Sequence, residues 1–378
     1  MGLFILRRVA VMILTALCLT FVVFTMTNLY PNLEKLAKSE GNFRMTDIEV
    51  ASWLANNGYR SPVDPEMLAA YRSGQITAEE AATQINTGFD LRLVRNYAEW
   101  LGVAPGYRIE TPDGEVNARC QLPGTALEDA PRFCGILQGH WGFSTRFKEP
   151  VGGVIGTRLG LTGKLMFWVM VLMVPSALIL GILAGMREGS ALDRSLSTVS
   201  ITTTATPEYV SGVILIAVFT SSAVGLKWFK GSAASAMEDA NFENFFLPVL
   251  TIALYGMGYI ARMTRASMAE VMSAQYIRTA RLKGVSFRNI VLRHALRNAL
   301  IAPFTVIMLQ FPWLLNGVVI VETLFNYKGF GWAVVEAAGN NDIELLLGVS
   351  VVAVFVVLIT QLISDIGYVY LNPRISVT

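Results

Sequence analysis

The sequence predicts an all-α, polytopic membrane protein with six transmembrane helices and a mainly helical insert between the first two. Hydrophobic residues make up 53% of the 378-residue chain and charged residues only 15%. A soluble domain usually carries about 25% charged residues. The charge deficit is concentrated in long apolar stretches that alternate with ordinary polar segments. This alternation is typical of a chain that crosses a bilayer several times.

Six stretches are long and apolar enough to cross a hydrocarbon core of about 30 Å. They are residues 9–29, 165–186, 209–226, 245–261, 299–321 and 346–370. Arg7 and Arg8 precede the first stretch, so a cleaved signal peptide is an alternative interpretation there. Because its apolar core is about 20 residues long and no small-residue cleavage site follows, we expect a retained signal-anchor helix.

Basic residues predict the orientation of these spans, since cytoplasmic loops carry an excess of lysine and arginine. With the N-terminus inside, the inner segments hold 13 basic and three acidic residues, and the outer segments hold 17 basic and 23 acidic residues. The opposite orientation would place the basic excess outside. We therefore predict that both chain ends are cytoplasmic, with an N-terminal transmembrane helix at 1–29, an extracytoplasmic domain at 30–160 and a five-helix core at 161–378.

The extracytoplasmic domain carries its own secondary-structure signals. Capping residues predict four helix starts, at 46–49, 64–65, 77–80 and Asp90. Further along, the turn residues 111–114 separate two short segments and predict a hairpin. We expect a small, mainly helical cap.

Cys120 and Cys134 both lie in this domain, where thiols tend to be oxidised. A disulfide between them would close a loop of about 15 residues, worth roughly 3 kcal/mol in the chain-entropy model. We favour this disulfide, with two free thiols as the alternative. Cys18 lies inside the first span and is most simply a small apolar side chain.

The segment 262–298, between the fourth and fifth spans, holds eight of the basic residues predicted to be cytoplasmic. A helix is predicted to end at Gly284, which can adopt the left-handed conformation without steric cost. Arg281 and Lys283 lie in its last turn, where positive charge is favourable, and Ser286 can cap the next helix. A basic amphipathic connector lying on anionic lipid is the alternative interpretation.

Specific residues of this segment resemble the EAA loop of ABC importer permeases of the dipeptide/oligopeptide/nickel family. That family typically shows Tyr-x-Arg-Thr-Ala-x-x-Lys-Gly, followed by Arg-His-Ala-Leu-Arg-Asn-Ala. The first motif is matched by Tyr276, Arg278, Thr279, Ala280, Lys283 and Gly284, and the second by residues 293–299. A match of this length is more specific than a short pattern.

Other parts of the chain agree with the resemblance, although with departures. Four further segments resemble family motifs, at residues 3–8, 139–144, 325–331 and 365–375. The departures are His140 and Trp141 in place of Asp and Leu, Lys328 in place of Pro, and Asn372 in place of Asp. The resemblance covers residues 1–30 and about 139–378, so most of the insert is unaccounted for.

The resemblance implies a type I ABC importer permease, in which 262–298 is the cytoplasmic coupling loop that docks on an ATPase subunit. The implied docking residues are Tyr276, Arg278, Thr279, Ala280, Lys283, Gly284 and Ser286. Of these, Arg278 and Lys283 would supply charge and Ala280 and Gly284 close packing. ATP-driven closure of two ATPases would then switch the permease between its inward-open and outward-open states.

The resemblance also implies partners and a substrate class. Six helices form half a pathway in this family, so a second related permease, two ATPase subunits and a periplasmic solute-binding protein are expected in the bacterial inner membrane. Di- or oligopeptides are the implied substrate, with nickel and oligosaccharides as alternatives. We expect the insert at 31–138 to dock the binding protein or to cap the outer gate.

The chain itself is not expected to bind ATP, because a P-loop needs Gly-x4-Gly-Lys-Ser/Thr. The nearest approach, at 163–165, lacks the first glycine and the hydroxyl. ATP and Mg²⁺ are therefore assigned to the partner ATPases, and no cofactor, metal or catalytic residue to this chain. Membrane lipid is expected around it, and nucleic acid is not.

Polar residues inside the spans are candidates for the translocation path, because such groups usually face a cavity or a partner in a membrane. The candidates are Thr206, Glu208, Gln310, Asn316 and Gln361, with Asp365 beside the last. The alternative is that they only bond neighbouring helices. Residues 325–332 are predicted to form either a re-entrant turn or gate, or an interfacial aromatic anchor.

Two other functions compete with import by an ABC permease. A membrane sensor should carry a sizeable cytoplasmic output domain, whereas the longest inner segment here is under 40 residues. An ion-driven secondary transporter predicts internal repeats and charges near the bilayer midplane. The sequence shows no clear repeat, and its spans are nearly free of charge.

Overall fold

The computed structural model describes residues 2–85, 88, 90–111, 116–121, 126–221 and 226–371. Its packing divides the chain into two compact units. The insert unit comprises Leu14–Gly156 and Glu336–Val354, and the core unit comprises Met1–Ile13, Thr157–Val335 and Phe355–Thr378.

Sixteen α-helices make up most of the described chain. They are α1 (Gly2–Thr27), α2 (Tyr30–Glu40), α3 (Asp47–Asn56), α4 (Pro65–Arg72), α5 (Ala78–Gln84), α6 (Arg92–Leu101), α7 (Val151–Gly185), α8 (Ala191–Ala205), α9 (Glu208–Phe219), α10 (Phe242–Ser273), α11 (Gln275–Leu282), α12 (Phe287–Asn289), α13 (Leu296–Ala299), α14 (Ile301–Leu324), α15 (Phe330–Gly339) and α16 (Ile343–Leu371). A π-helical segment, Ile290–Ala295, lies between α12 and α13.

The short helices of the insert unit begin where their capping residues predict. The Glu49 carboxylate accepts the backbone N–H of Thr46 at 2.8 Å, and α5 begins with the same capping box at Thr77. Asp64 caps α4, and the Asp90 carboxylate accepts the backbone N–H of Arg92 at 2.9 Å at the start of α6. These side chains satisfy amide groups that have no partner inside the helix. The helix starts predicted at 46–49, 64–65 and 77–80 are confirmed, and α6 begins one residue later than predicted, with Leu91 as its N-cap residue.

A two-stranded antiparallel sheet and a disulfide complete the insert unit. Strand β1 (Arg108–Glu110) pairs with β2 (Val116–Ala118), as the turn chemistry predicts, while residues 112–114 of the predicted turn lie outside the described part. Cys120 and Cys134 are joined by a disulfide with their Cα atoms 5.4 Å apart.

The core of the insert unit is formed by apolar side chains from several of its helices. Its buried members are Phe24, Leu33, Leu36, Ala37, Val50, Leu54, Leu93, Trp100, Ile343, Leu347 and Val351. Burial of each larger side chain contributes roughly 1.5–3 kcal/mol. The helix signals of the insert therefore belong to a packed body rather than to a loose loop.

Four helices of the described chain are long and apolar enough to cross a membrane, namely Ile5–Thr27, Val151–Gly185, Phe242–Ser273 and Ile343–Gly367. Two bent pairs also qualify if each counts as one span, Ala191–Ala205 with Glu208–Phe219 (107°) and Phe287–Ala299 with Ile301–Gln310 (50°). The described residues thus carry four to six candidate spans, and the prediction of six counts both bent pairs.

Three predicted spans differ clearly from the observed helices. The fourth was predicted to end at residue 261, but α10 continues to Ser273. Helix α7 begins at Val151, well before residue 165, so the glycine-rich stretch before that residue is helical as well. The third span was predicted to run to residue 226, but α9 ends at Phe219. There the chain folds back, and the backbone N–H of Trp228 donates to the carbonyl of Phe219 at 3.1 Å.

Glycines allow close helix packing in the core unit. A Cβ atom on Gly181 of α7 would lie 2.6 Å from the carbonyl oxygen of Ala261 on α10. One on Gly258 of α10 would lie 2.5 Å from the carbonyl oxygen of Ser200 on α8. Because the contacted atoms belong to helix backbones, only glycine fits. Close approach of this kind is the usual basis of helix association in lipid.

Candidate functional site

The chain between α10 and α14, here called the 274–299 loop, forms helix, turn and helix as predicted. Helix α11 ends at Leu282, and Gly284 has φ +77°, the left-handed conformation that the sequence predicts. A Cβ atom on Gly284 would meet no described atom within 4 Å, so this turn has room around it within the described structure. Ser286 precedes α12, but its hydroxyl makes no capping hydrogen bond. Ser286 therefore lies at the predicted N-cap position, without the side-chain hydrogen bond that would complete the cap.

The inner face of the 274–299 loop packs against the end of α10 in an apolar cluster. Its buried members are Met268, Met272, Ile277, Ala280, Ile290, Val291, Ala295 and Ala299. The Ser267 hydroxyl donates to the carbonyl of Ala299 at 2.8 Å, which ties α10 to α13. These contacts hold α11 on the end of α10.

Ala280 is only 8% exposed and belongs to this inner cluster. The resemblance implied that its small side chain provides close packing with a docking partner. In the structure, the close packing of Ala280 is with its own chain. It supports α11 rather than lining the exposed surface.

The outer face of α11 is polar, basic and exposed. It carries Tyr276, Arg278, Thr279, Arg281 and Lys283, all exposed. The side-chain amide of Asn298 donates to the Tyr276 hydroxyl at 3.0 Å and orients that ring. Leu282, at 82% exposure, is the most exposed apolar side chain of this face. Leu282 was not among the predicted residues, although an apolar residue beside two basic ones at a helix end is visible in the sequence.

An ion pair between a half-buried arginine and a buried aspartate links α10 to the start of α8. Arg265 donates to both carboxylate oxygens of Asp193, Nε to Oδ1 at 3.0 Å and the terminal nitrogen to Oδ2 at 2.8 Å. Asp193 is 3% exposed and also accepts the backbone N–H of Gly189 at 2.8 Å and the Ser197 hydroxyl at 3.1 Å. The carboxylate is therefore fully coordinated, and α8 cannot shift without α10.

Glu208 and Gln310, two of the path candidates, each carry a buried polar atom that has no hydrogen-bond partner among the described residues. These atoms are Glu208 Oε1 and Gln310 Nε2. Glu208 begins α9 directly after the break between α8 and α9, and a Cβ atom on Gly317 of α14 would lie 3.0 Å from its Oε1. A buried polar atom without a partner is costly and therefore uncommon. Both side chains have unused capacity to bind a ligand.

The other path candidates are bonded locally or lie outside the description. The Thr206 hydroxyl donates to the carbonyl of Thr202 at 2.8 Å. The amide of Gln361 donates to Asp365 at 3.3 Å, and Asp365 forms an ion pair with Arg8 at 3.3 Å. The side chain of Asn316 lies outside the described residues. No hydrogen bond joins the candidates to one another among the side chains that the structure describes.

The aromatic and glycine-rich segment 325–332 is held inside the core unit. Phe325 and Tyr327 are fully buried, and the Tyr327 hydroxyl donates to the carbonyl of Leu161 at 2.9 Å. Arg158 of α7 donates to the carbonyl of Lys328 at 2.8 Å. These contacts make the segment a packed turn of the core unit.

Glu322, on α14, lies at the centre of this packed region. It was not among the residues predicted from the sequence. It is fully buried, accepts the hydroxyl of Thr162 and accepts the backbone N–H of Trp332 at 2.9 Å. A Cβ atom on Gly329 would lie 2.1 Å from its Oε1. One carboxylate thus holds α7, α14 and the start of α15 together. A lone acidic residue in an apolar stretch was the available signal.

Comparison with known proteins agrees with this architecture. Residues 177–377 match the family model of the binding-protein-dependent transport system inner membrane component. This chain belongs to that family. The matched region contains the 274–299 loop, both path candidates with unpaired atoms and the segment 325–332.

Several curated permeases are similar to this permease. A probable peptide ABC transporter permease of Sinorhizobium fredii is 35% identical over 243 residues, covering 64% of this chain and 77% of the relative. The dipeptide transport system permease of Haemophilus influenzae is 31% identical over 262 residues, covering 64% and 78%. The glutathione transport system permease of Escherichia coli is 33% identical over 239 residues, covering 63% and 76%. The chain is accordingly a multi-pass permease subunit of an ABC importer.

Proposed function

We propose that this permease forms half of the pathway of an ATP-driven importer of di- or oligopeptides in the bacterial inner membrane. The named activities of the relatives support peptides over nickel or oligosaccharides. Six spans with both ends in the cytoplasm are part of the proposal, with each bent helix pair counted as one span. The single observation that carries it is the 274–299 loop, which presents an exposed basic helix on a rigid apolar base.

The proposed role of the loop is to transmit the movement of an ATPase subunit to the membrane helices. Arg278 and Lys283 are the charged contacts, and Leu282 is the apolar contact that a docking cleft would cover. A covered apolar side chain surrounded by polar contacts is the usual composition of a binding hot spot. Ile277 and Ala280 carry the displacement into α10, and Arg265 passes it on to α8 through Asp193.

The proposed path passes the break between α8 and α9, where Glu208 lies. Broken helices at membrane depth commonly form substrate sites, because they free backbone and side-chain groups for a ligand. The ammonium group of a peptide would satisfy Glu208 Oε1, and a peptide carbonyl would accept from Gln310 Nε2. We expect Glu208→Gln to reduce peptide uptake by the reconstituted importer about tenfold, while Glu238→Gln, an exposed acid of the core unit, leaves uptake unchanged.

The remaining partners follow from the same proposal. A second related permease completes the pathway, two ATPase subunits bind ATP and Mg²⁺, and a periplasmic solute-binding protein delivers the substrate. Residues 30–160 form the periplasmic domain, which docks that binding protein or caps the outer gate.

A pull-down of tagged full-length protein from solubilised native membranes, followed by mass spectrometry, tests the docking surface. Leu282→Asp is compared with Leu137→Asp, another strongly exposed leucine that lies in the insert unit. Wild type and Leu137→Asp should recover a second permease and ATPase chains, and Leu282→Asp should lose only the ATPases. Equal recovery of ATPases by both variants would exclude α11 as the docking surface, and recovery of wild type alone would exclude the importer assembly.

A further inference from the structure

A large cavity lies within the insert unit. It has a volume of about 810 Å³, in the range of small-molecule sites. Every residue that lines it belongs to this unit, and much of its wall is aromatic. The aromatic side chains are Phe24, Tyr59, Trp100, Tyr107, Trp141 and Phe143. The cavity is therefore shaped by one packed body.

Glu344, in the first turn of α16, places a carboxylate in this cavity. In the part of the chain that the structure describes, it forms no hydrogen bond and no ion pair. Gly142 keeps the carboxylate accessible, because a Cβ atom there would lie 2.3 Å from Glu344 Oε2. Arg119 lines the same cavity, and in the described part of the chain it forms no ion pair with Glu344. Glu40, also in the wall, adds a second negative charge.

The neighbouring Asp342 shows that an acidic residue here can be fully satisfied by the protein. It accepts the Ser144 hydroxyl at 2.5 Å and the backbone N–H groups of Arg146 and Leu345, each at 3.1 Å. Asp342 therefore has a structural role in closing the loop before α7. Within the described residues, Glu344, two residues later, has no such partners, so both of its carboxylate oxygens can accept hydrogen bonds.

A second acceptor lies in the same wall. The Asn96 amide donates to the carbonyls of Gly58 and Tyr59, both at 3.0 Å, which fixes its orientation. Its Oδ1 atom is buried and has no hydrogen-bond partner among the described residues. Burial, and then the Glu344 carboxylate, raise the pKa of Tyr59. The Tyr59 side chain in the cavity wall is therefore uncharged at physiological pH.

We propose that this cavity binds an organic ammonium group attached to an aromatic or apolar body, with Glu344 accepting the ammonium and the aromatic walls enclosing the rest. An anionic acceptor, a neutral buried acceptor and aromatic rings are the groups that recognise such cations. The ammonium belongs either to a free amine or to the first residue of a short peptide. This site is distinct from Glu208 and the proposed path in the core unit.

The test is titration of the full-length protein in detergent, followed by calorimetry and by tryptophan fluorescence, since Trp100 and Trp141 line the cavity. L-phenylalaninamide carries the ammonium group, and its N-acetyl derivative has the same body without the charge. We expect saturable binding of the amide and at least tenfold weaker binding of the N-acetyl form. The dipeptide Phe-Gly and phenethylamine show whether a peptide or a free amine binds more tightly.

Two variants assign the binding to Glu344. Glu344→Gln should weaken L-phenylalaninamide at least tenfold, and Glu128→Gln, an exposed acid of the same unit, should leave it unchanged. Loss of fold does not explain this result if Glu344→Gln unfolds at the same temperature as wild type or higher. That stability is expected, since the neutral amide has a smaller desolvation cost.

Equal binding of the amide and its N-acetyl form, unchanged binding in Glu344→Gln, or no saturable binding by wild type would each overturn the proposal. The assay needs no ATPase, so its outcome is independent of the import assay.

Discussion

The 274–299 loop and the segment 322–332 use polar side chains in opposite ways. In the loop, the basic side chains of α11 are exposed, and the apolar side chains hold the helix in place. In the 322–332 segment, Glu322 is buried and holds the structure together by accepting hydrogen bonds from two other parts of the core unit. The loop leaves its polar groups available to a partner, whereas the segment uses them internally. The comparison separates residues that serve docking from residues that serve folding.

The largest effect should come from Glu322→Ala. This change leaves the backbone N–H of Trp332 and the hydroxyl of Thr162 without their acceptor. We expect a loss of about 4 kcal/mol of unfolding free energy, since a hydrogen bond to a charged group is worth about 1.5–3 kcal/mol. The measurement is the apparent melting temperature of the detergent-solubilised protein, with Glu238→Ala as the exposed control. A melting temperature equal to that of the control would show that the carboxylate does not hold the segment.

Arg265→Ala should have the next largest effect, because it leaves the buried Asp193 carboxylate without its cation. We expect a loss of about 3 kcal/mol. Adding Asp193→Asn to this variant should recover part of the loss, since the uncompensated charge is then removed. Thermal unfolding of the two single variants and the double variant checks this. Strictly additive losses would mean that the two side chains stabilise the fold independently.

The two faces of α11 can be separated by neighbouring substitutions. Ala280→Leu adds volume to the buried inner cluster and should cost about 2 kcal/mol. Thr279→Leu adds the same side chain on the exposed face and should change stability by less than about 0.5 kcal/mol. ATPase recovery in the pull-down should fall for both, through a displaced helix in the first and an altered surface in the second. Equal melting temperatures would contradict the assignment of inner and outer faces.

The smallest effect is expected for Tyr276→Phe. It removes the hydroxyl that accepts from Asn298 at 3.0 Å, an exposed bond that contributes about 1 kcal/mol or less. The melting temperature should hardly change, and ATPase recovery should fall only slightly. A complete loss of ATPases would show that the hydroxyl itself is a docking contact, and would place Tyr276 beside Leu282 in importance.

Local features were predictable from the sequence. The left-handed Gly284, the end of α11 and the four capped helices of the insert unit depend on residues a few positions apart, so their signals lie within short windows. The long apolar stretches predicted the candidate spans for the same reason. The family resemblance was also readable from one continuous run of residues in the loop.

Side-chain direction was not predictable from the sequence. Ser286 lies at the predicted N-cap position, but its hydroxyl makes no capping hydrogen bond among the described residues. Ala280 stays a predicted docking residue, although its side chain is largely buried on α11. Leu282 was missed because residue type alone does not show which face of a short helix is exposed.

The sequence by itself determined the apolar spans, the helix starts, the turn at Gly284 and the motif of the coupling loop, because each depends on neighbouring residues. Only the tertiary structure decided which polar groups are paired. Asp193 and Arg265 are 72 positions apart, and Thr162 and Glu322 are 160 apart. Only the fold distinguishes the satisfied Asp342 from Glu344, which has no hydrogen-bond partner among the described residues. Hydrogen bonds depend on distances of about 3 Å, and sequence separation says nothing about such distances until the helices have packed.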